Sequence, residues 1–159
     1  MPLAVLGLGG NLGNREENLA DALDLLEASP GVAIERLSCI YETEPFDVLS
    51  EQPKYLNCCV LIDTTASPQQ LLRLCHEIEQ ALGRVRESYH GARTIDLDIL
   101  LYEGVKMQTE TLTLPHPGIL QRAFVMIPLA DLFPSHNALG LHFSESLNAL
   151  DPSGVTLYK

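Results

Sequence analysis

Hydrophobic residues recur along the chain with two different periods. Short runs that are apolar, or that alternate apolar with polar residues, predict four β-strands, and apolar residues three and four positions apart predict two helices between them. Asn14 with Glu17, and the run Ser67-Pro68-Gln69-Gln70, are typical of helix N-termini. The predicted order is a strand over 3–9, a helix from Asn14 to Pro30, strands over 32–43 and 55–64, a helix from Ser67 to Gly83, and a strand over 94–102.

The order β-α-β-β-α-β predicts an α+β fold of the ferredoxin-like type. In this two-layer sandwich, two helices cover one face of an antiparallel sheet. A short helix from about Arg122 to Leu132 and a C-terminal extension follow, and the pattern predicts no structure for the extension. Because 159 residues suit one core and no repeat or linker interrupts them, we expect a single domain over 1–159.

The predicted fourth strand carries two acidic residues on one face. Asp96 and Asp98 are two positions apart, so their side chains project to the same side. Two carboxylates about 7 Å apart along a strand can hold one or two hard divalent cations between them. Such a pair is also common on solvated strand faces, which is the simpler alternative. The opposite face is apolar: Ile95, Leu97, Ile99 and Leu101.

Arginines just upstream favour the metal site. Arg84, Arg86 and Arg93 lie within ten positions of a chain that has only 10 basic residues. Magnesium held by carboxylates beside several arginines is what transfer of a polyphosphate group requires. The strand face is therefore predicted to be catalytic.

Composition limits the partners. The formal net charge of -11 argues against nucleic acid and anionic membranes as partners. No apolar run has transmembrane length, and the N-terminus lacks the basic region of a signal peptide, so we expect a cytoplasmic protein. The cysteines form no C-x-x-C motif and are predicted to be buried, reduced and inert: Cys39, Cys58, Cys59 and Cys75.

Glycines after the first strand do not form a nucleotide-binding motif. A G-x-G-x-x-G motif beginning at Gly7 would need glycine at position 12, where Leu12 stands, and no G-x-x-x-x-G-K-[ST] occurs. Gly9, Gly10 and Gly13 are instead predicted to permit a tight turn and close packing near the site. Phosphates would then be bound by arginines and metal.

Two further segments are compatible with this chemistry. His116 lies between two prolines, and Arg122 follows six positions later, so both are candidates for phosphate contacts; a lone surface histidine is the alternative. Phe46 and Tyr55, with Thr43 and Asn57, could form a slot for a flat, hydrogen-bonding heterocycle. Equally, the two aromatic residues could be ordinary core side chains.

Together these segments resemble the 6-hydroxymethyl-7,8-dihydropterin pyrophosphokinase family. The resemblance extends from Gly7 to about Leu132, with motif order and spacing kept. It implies a ferredoxin-like enzyme that moves the β,γ-pyrophosphate of ATP to the hydroxymethyl group of a reduced pterin in folate synthesis, releasing AMP. The motifs are Tyr41-Glu42-Thr43-Glu44-Pro45, Gln52-Pro53-x-Tyr55-Leu56-Asn57, Gly83-Arg84-Val85-Arg86, Gly91-Ala92-Arg93-Thr94-Ile95-Asp96-Leu97-Asp98-Ile99, Pro115-His116-Pro117 and Arg122-Ala123-Phe124-Val125.

The resemblance also implies residue roles. Asp96 and Asp98 would hold two Mg²⁺ ions, and Arg84 and Arg93 would neutralise charge during transfer, with Arg86 helping a loop to cover the site. The ATP-binding set would be His76, Glu79, Arg84, Arg86, Arg93, Ile99, Thr113, His116 and Arg122. The pterin-binding set would be Thr43, Glu44, Phe46, Tyr55, Asn57, Asp96 and Phe124.

The chain departs from the family pattern at three positions. Some relatives have tryptophan where His90 follows Tyr89, proline where Ala92 stands, and arginine where Thr111 stands. Stacking over the pterin would then fall to Tyr89 or His90, and one phosphate contact would be lost. The aspartates, Arg84, Arg93 and His116 are kept.

The leading hypothesis is a monomeric pyrophosphokinase whose partners are the small molecules ATP and reduced pterin. The loops over 44–53 and 84–93 are predicted to close after ATP and magnesium bind. A non-catalytic ferredoxin-like binding module, with Asp96 and Asp98 as surface acids, is the alternative from another class. A kinase that moves only the γ-phosphate to a similar alcohol is a third.

Overall fold

Ten strands and four helices make up the described parts of the chain. The computed structural model describes residues 1–44, 54–83 and 94–159. The strands are β1 Leu3–Gly10, β2 Val32–Leu37, β3 Tyr41–Thr43, β4 Tyr55–Thr64, β5 Asp96–Tyr102, β6 Met107–Gln108, β7 Thr113–Leu114, β8 Asn137–Ala138, β9 Leu141–His142 and β10 Val155–Leu157. The helices are α1 Arg15–Ala28, α2 Pro68–Ala81, α3 Ala123–Leu132 and α4 Ser144–Ala149, with a 3-10 turn at Ile119–Gln121.

A six-stranded antiparallel sheet lies at the centre of the fold. Its strands run in the order β10-β3-β4-β1-β5, and β2 also pairs with β4. β1 and β4 pair along eight residues, from Leu3 opposite Asp63 to Gly10 opposite Leu56. On its other side β1 pairs with β5. The antiparallel α+β arrangement expected from the sequence is thus observed.

The predicted strand over 32–43 is wrong as a single element. It is two strands, β2 and β3, that pair successively with β4. At the break between them, the Oγ of Ser38 accepts a hydrogen bond from the backbone N–H of Cys59 at 2.8 Å, where a regular strand pair would use a backbone carbonyl. A hydroxyl that competes with backbone carbonyls interrupts strand pairing in this way.

Helices cover both faces of the sheet, so the predicted two-layer sandwich is wrong on this point. α1 and α2 pack on one face in a first core, which includes Leu6, Leu19 and Leu71. α3 packs on the other face in a second core, which includes Val5, Met126 and Leu129. Because α3 is apolar nearly all round, it needs burial on several sides.

A bulge changes the side-chain alternation of β5. Leu6 pairs with Ile99 and Val5 pairs with Leu101, which leaves Leu100 as an extra residue between them. One extra residue reverses the facing of everything that follows. Leu101 therefore joins Leu100 in the second core, and the prediction that Leu101 shares a face with Ile99 is wrong.

The C-terminal extension returns to the sheet. After the β8–β9 hairpin and α4, β10 pairs antiparallel with β3, from Val155 opposite Thr43 to Leu157 opposite Tyr41. Beyond β10, the backbone N–H of Ile40 donates to the carbonyl of Lys159 at 2.9 Å. Within the described ranges, no helix is both long and apolar enough to cross a membrane.

All four cysteines are free thiols. Cys58 and Cys59 face the first and second cores respectively, as their adjacency on a strand predicts. Burial raises the pKa of Cys58 and of Cys75 to about 12, so both are protonated and unreactive near neutrality. Cys39 is exposed, and the prediction of burial is wrong for it because it lies in the break between β2 and β3.

The predicted N-terminus of α2 is a complete capping box. Ser67 Oγ accepts from the N–H of Gln70 at 3.2 Å, and Gln70 Oε1 accepts from the N–H of Ser67 at 2.8 Å. We expect Ser67→Ala to lower the free energy of unfolding by about 1 kcal/mol, because the backbone N–H of Gln70 loses its acceptor. Urea unfolding measures this change.

Ser144→Ala is the matched control, since α4 has no side-chain cap and Ser144 is exposed. Its effect should stay within about 0.5 kcal/mol, as for ordinary surface substitutions. Equal losses in the two variants would contradict a stabilising role for the capping box.

Candidate active site

A cavity of about 210 Å³ opens on the α3 face of the sheet, where β1, β4 and β5 meet the start of α3. Its walls combine strand residues with residues of the 116–125 segment. Nine residues proposed from the sequence line it: Thr43, Glu44, Tyr55, Asn57, Asp96, Asp98, His116, Arg122 and Phe124. The fold thus brings together residues that are up to 81 positions apart, from Thr43 to Phe124.

The floor of the cavity is bare strand backbone at two glycines. Gly7 and Gly9 lie on β1 opposite Asp98 and Asp96. A Cβ added at Gly9 would lie 2.3 Å from Oδ1 of Asn57, so any larger residue there would displace the Asn57 side chain. The close packing predicted for Gly9 is therefore confirmed, and the two glycines leave room above the sheet.

The two aspartates project into the cavity from one face of β5. Between them, the backbone N–H of Leu97 donates to Oε2 of Glu79 at 2.9 Å, which ties the edge of β5 to α2. Two carboxylates are the hard oxygen donors that Mg²⁺ takes from a protein when substrate phosphates supply further ligands. In the described ranges, no group of three or more His, Cys, Asp or Glu side chains has metal-site geometry, so the pair is not part of a complete protein cage.

His116 is held at the cavity by two backbone contacts. Its N–H donates to the carbonyl of Leu100, the bulge residue of β5, at 2.9 Å. Its Nδ1 accepts from the N–H of Gly118 at 3.0 Å, so the ring proton of the neutral form is on Nε2. Burial lowers the pKa of His116 below 6.5; nearby Asp98 opposes the shift and Arg122 adds to it.

Arg122 supplies positive charge beside the histidine. It lies immediately before α3, and its Cζ is 5.8 Å from the centre of the Phe124 ring. Gly118 makes room for it, because a Cβ there would lie 2.8 Å from the guanidinium carbon. His116, Arg122 and the aspartates together suit a phosphate chain with bound cations.

The other end of the cavity is a buried hydrogen-bonding edge. Asn57 Nδ2 donates to Oγ1 of Thr43 at 2.6 Å, and Thr43 is only 2% exposed. Tyr55 pairs with Thr43 in the β3–β4 register, and Phe124 faces the same cavity from α3. An amide, a hydroxyl and aromatic rings in one slot suit a flat heterocycle with polar edges.

Four of the remaining proposed residues lie in the described ranges and do not line the cavity. Glu79 is buried on α2, and Ile99 is buried in the first core, on the face opposite the aspartates. His76 is exposed on α2, and Thr113 lies half-buried on β7. Other predictions fall on residues outside the described ranges. They concern Phe46, Arg84, Arg86, Arg93, Tyr89, His90 and the closing loops.

Besides Gly9, the cavity lining includes six residues that were not proposed as site residues from the sequence: Gly7, Leu8, Cys58, Cys59, Leu100 and Val125. Cys59, Leu100 and Val125 complete the apolar part of the wall. Cys59 is two positions from Asn57 on one strand, and this spacing alone could have placed both on one face. Leu100 is likewise two positions from Asp98, so alternation along β5 could have placed it on the cavity face.

Comparisons with known proteins agree with this chemistry. The sequence model of the family described as 7,8-dihydro-6-hydroxymethylpterin-pyrophosphokinase (HPPK) matches residues 5–134. A 2-amino-4-hydroxy-6-hydroxymethyldihydropteridine pyrophosphokinase of Methylorubrum extorquens is 44% identical over 155 residues, 98% of each chain. The Bacillus subtilis protein of the same name is 43% identical over 130 residues, 82% of this chain and 77% of its own.

A solved structure supports the same fold. Plasmodium falciparum HPPK-DHPS with pteroate superposes with a TM-score of 0.72 at 15% identity, covering 92% of this chain and 42% of its own. At this identity the likeness concerns the fold alone, whereas the sequence matches show relationship. The resemblance in the motifs is thereby confirmed, and the chain belongs to the 7,8-dihydro-6-hydroxymethylpterin-pyrophosphokinase family.

Proposed function

We propose that the chain transfers the β,γ-pyrophosphate of ATP to the hydroxymethyl group of 6-hydroxymethyl-7,8-dihydropterin, giving AMP and the pterin diphosphate in folate biosynthesis. The observation that carries this proposal is the two-ended cavity. A carboxylate pair with a histidine and an arginine lies at one end, and a buried Thr43–Asn57 edge lies at the other.

The pterin binds at the edge formed by β3 and β4. Thr43, Glu44 and Asn57 supply donors and acceptors for the polar rim of the ring, and Phe124 and Tyr55 supply aromatic surface. Because a partly buried amide left unpaired is costly, the Thr43–Asn57 hydrogen bond keeps the edge in one arrangement before substrate arrives. Phe46 is the further pterin contact that the family resemblance implies.

The phosphates of ATP lie at the aspartate end. Asp96 and Asp98 would hold Mg²⁺, with two ions proposed; such ions would supply screening of the phosphate charge and a lowered pKa for the acceptor hydroxyl. His116 and Arg122 contact the phosphate chain, while Arg84, Arg86 and Arg93 neutralise the charge that develops during transfer. His76, Glu79, Ile99 and Thr113 are proposed to surround the rest of the nucleotide.

Transfer forms one bond and breaks another at the β-phosphorus. The hydroxymethyl oxygen attacks, loses its proton, and becomes bonded to phosphorus, while the bond from that phosphorus to the oxygen of the α-phosphate breaks. AMP leaves with the bond electrons. This chemistry depends on alignment and charge stabilisation, so two substrates held at opposite ends of one cavity are the main requirement.

The finer architecture stays a proposal as well. We infer a ferredoxin-like core in which β2 and β3 together take the place of the second strand; the order of β5, β1, β4 and β2/β3 supports this. We also propose that residues 1–159 act as a single, monomeric, cytoplasmic domain.

Product analysis tests the proposed reaction directly. Protein, Mg²⁺, ATP and 6-hydroxymethyl-7,8-dihydropterin are mixed, and nucleotides are separated over time. AMP formed in step with pterin consumption is the expected result. ADP formation would indicate γ-phosphate transfer instead, and a folded protein without turnover would favour a binding module.

Removing one carboxylate tests the metal site. We expect Asp98→Asn to reduce kcat by about a thousandfold or more, since metal-ion stabilisation contributes several kcal/mol to such transfers. Asp24→Asn, an exposed aspartate on the far side of the sheet, should leave kcat unchanged. Full activity in Asp98→Asn would exclude the carboxylate pair from catalysis.

The pterin edge has its own test. We expect Thr43→Val to raise KM for the pterin about tenfold, because Asn57 loses its acceptor, whereas KM for ATP changes by less than about twofold. Steady-state kinetics with each substrate varied in turn separates the two constants. An increase confined to the KM for ATP would assign this edge to the nucleotide.

The lowered pKa of His116 predicts a titration. In the free enzyme its ring should titrate below 6.5 by NMR and be neutral at pH 7, and Arg122→Ala should bring the value upward by removing a nearby positive charge. The pKa of His116 is lower in the folded than in the unfolded chain, so folding favours the neutral ring. The free energy of unfolding therefore includes a His116 contribution that is fully present above pH 6.5 and is lost as the pH falls through the folded pKa. A pKa that falls in Arg122→Ala would contradict the charge assignment.

A further inference from the structure

Arg15 joins the two chain segments that flank residues 45–53. It is the first residue of α1, and its Nη1 lies 2.8 Å from Oε2 of Glu42 on β3. The same nitrogen donates to the backbone carbonyl of Lys54, just before β4, at 2.8 Å. The side chains of Arg15 and Glu42 are only 24% and 27% exposed, so this contact is partly shielded from solvent.

Arg15 acts from the face of the sheet opposite the cavity. Glu42 pairs with Leu56, whose side chain belongs to the first core, whereas its neighbour Thr43 lines the cavity. Arg15 is not among the residues that line the cavity. Any effect of Arg15 on substrate must therefore pass through β3 and β4.

The C-terminal strand β10 and the two residues after it contact the end of β3 and the start of α1 from the edge of the sheet. The N–H of Glu44 donates to the carbonyl of Gly154 at 3.0 Å, next to the pairing of β10 with β3. The ring of Tyr158 lies under Arg15, with Cζ 5.7 Å from the ring centre. Lys159 pairs with Glu16, the next residue of α1.

We propose that Arg15, with the docked C-terminal strand β10, is a positioning element for the pterin end of the active site. β3 has only three residues, and nine residues connect Glu44 to Lys54, so β-pairing alone fixes the β3–β4 hairpin weakly. Arg15 holds both sides of the hairpin and thereby sets Thr43, Glu44 and Tyr55 relative to each other. The inference rests on the proposed pterin substrate.

An arginine suits this role better than a lysine. A guanidinium presents several donors in a rigid plane and can serve a carboxylate and a carbonyl together, whereas an ammonium on a flexible stem holds such geometry less well. β10 lies beyond residue 134, where the match to the family model ends. The positioning element therefore joins the family-matched part of the chain to a segment outside it.

Kinetics of Arg15→Ala test the inference. KM for 6-hydroxymethyl-7,8-dihydropterin should rise about tenfold, while KM for ATP stays within about twofold of wild type. Arg15→Lys should give an intermediate pterin KM, because one of the two contacts survives. Pterin fluorescence titration in the presence of Mg²⁺ and a non-hydrolysable ATP analogue should show the same order of affinities without turnover.

Arg36→Ala is the matched control. Arg36 also donates from a guanidinium to a backbone carbonyl, that of Leu132 at 2.7 Å, at the far end of α3. It should lower Tm without changing either KM. Thermal unfolding of all variants accompanies the kinetics, and Arg15→Lys serves if Arg15→Ala does not fold.

The outcomes separate the two proposals. A wild-type protein that neither binds the pterin nor forms AMP overturns the proposed function, and the positioning role with it. A working wild type with an unchanged pterin KM in the folded Arg15 variants overturns the positioning role alone. So does an equal rise in both KM values, which would indicate general loosening of the fold.

Discussion

The pairing of β1 with β4 is the constraint on which the rest of the structure depends. Eight consecutive residue pairs set which side chains of both strands face each layer of helices. The same register brings Gly9 opposite Asn57 and, through β5, opposite Asp96. A slip of one residue would turn every side chain of a strand to the other face and dismantle cavity and core together.

Chemistry and packing occupy opposite faces of the same strands. On β5, Leu97 and Ile99 lie in the first core, where α2 packs against the strand, while Asp96 and Asp98 face the cavity. The rigid face holds the backbone in place, and the other face is free to carry charge. Electrostatic stabilisation depends on donors and charges that need not reorganise during the reaction, and a strand buried on one side provides such support.

The parts of the fold that could be predicted have strong local signals. Helix caps at Asn14 and Ser67 and the apolar run of β4 depend on neighbours in sequence, and the structure agrees with them. The aspartates, His116 and Arg122 were found by residue type and spacing, and the cavity lies among them.

The features that were missed depend on contacts between distant parts of the chain. Ser38 interrupts a strand through the N–H of Cys59, 21 positions away, and β10 pairs with β3 across more than a hundred positions. The layer formed by α3 was missed because an apolar helix does not indicate which face of a sheet it covers. Arg15 gave no signal, because its partners meet only after the hairpin has formed.

The bulge at Leu100 divides β5 into two parts within one continuous ladder. Even-numbered side chains face the cavity before the bulge, and the odd-numbered Leu101 faces that side after it. The first half turns its carboxylates toward the cavity, and the second turns Leu101 toward that same side, beneath α3. The inserted residue also supplies the carbonyl that anchors His116. The bulge therefore lets two consecutive apolar residues, Leu100 and Leu101, follow the aspartates on one side of the strand, whereas strict alternation would turn Leu101 toward the first core. Deleting Leu100 would restore a regular ladder and keep Leu101 beneath α3, but it would remove one apolar side chain from that face together with the carbonyl that anchors His116.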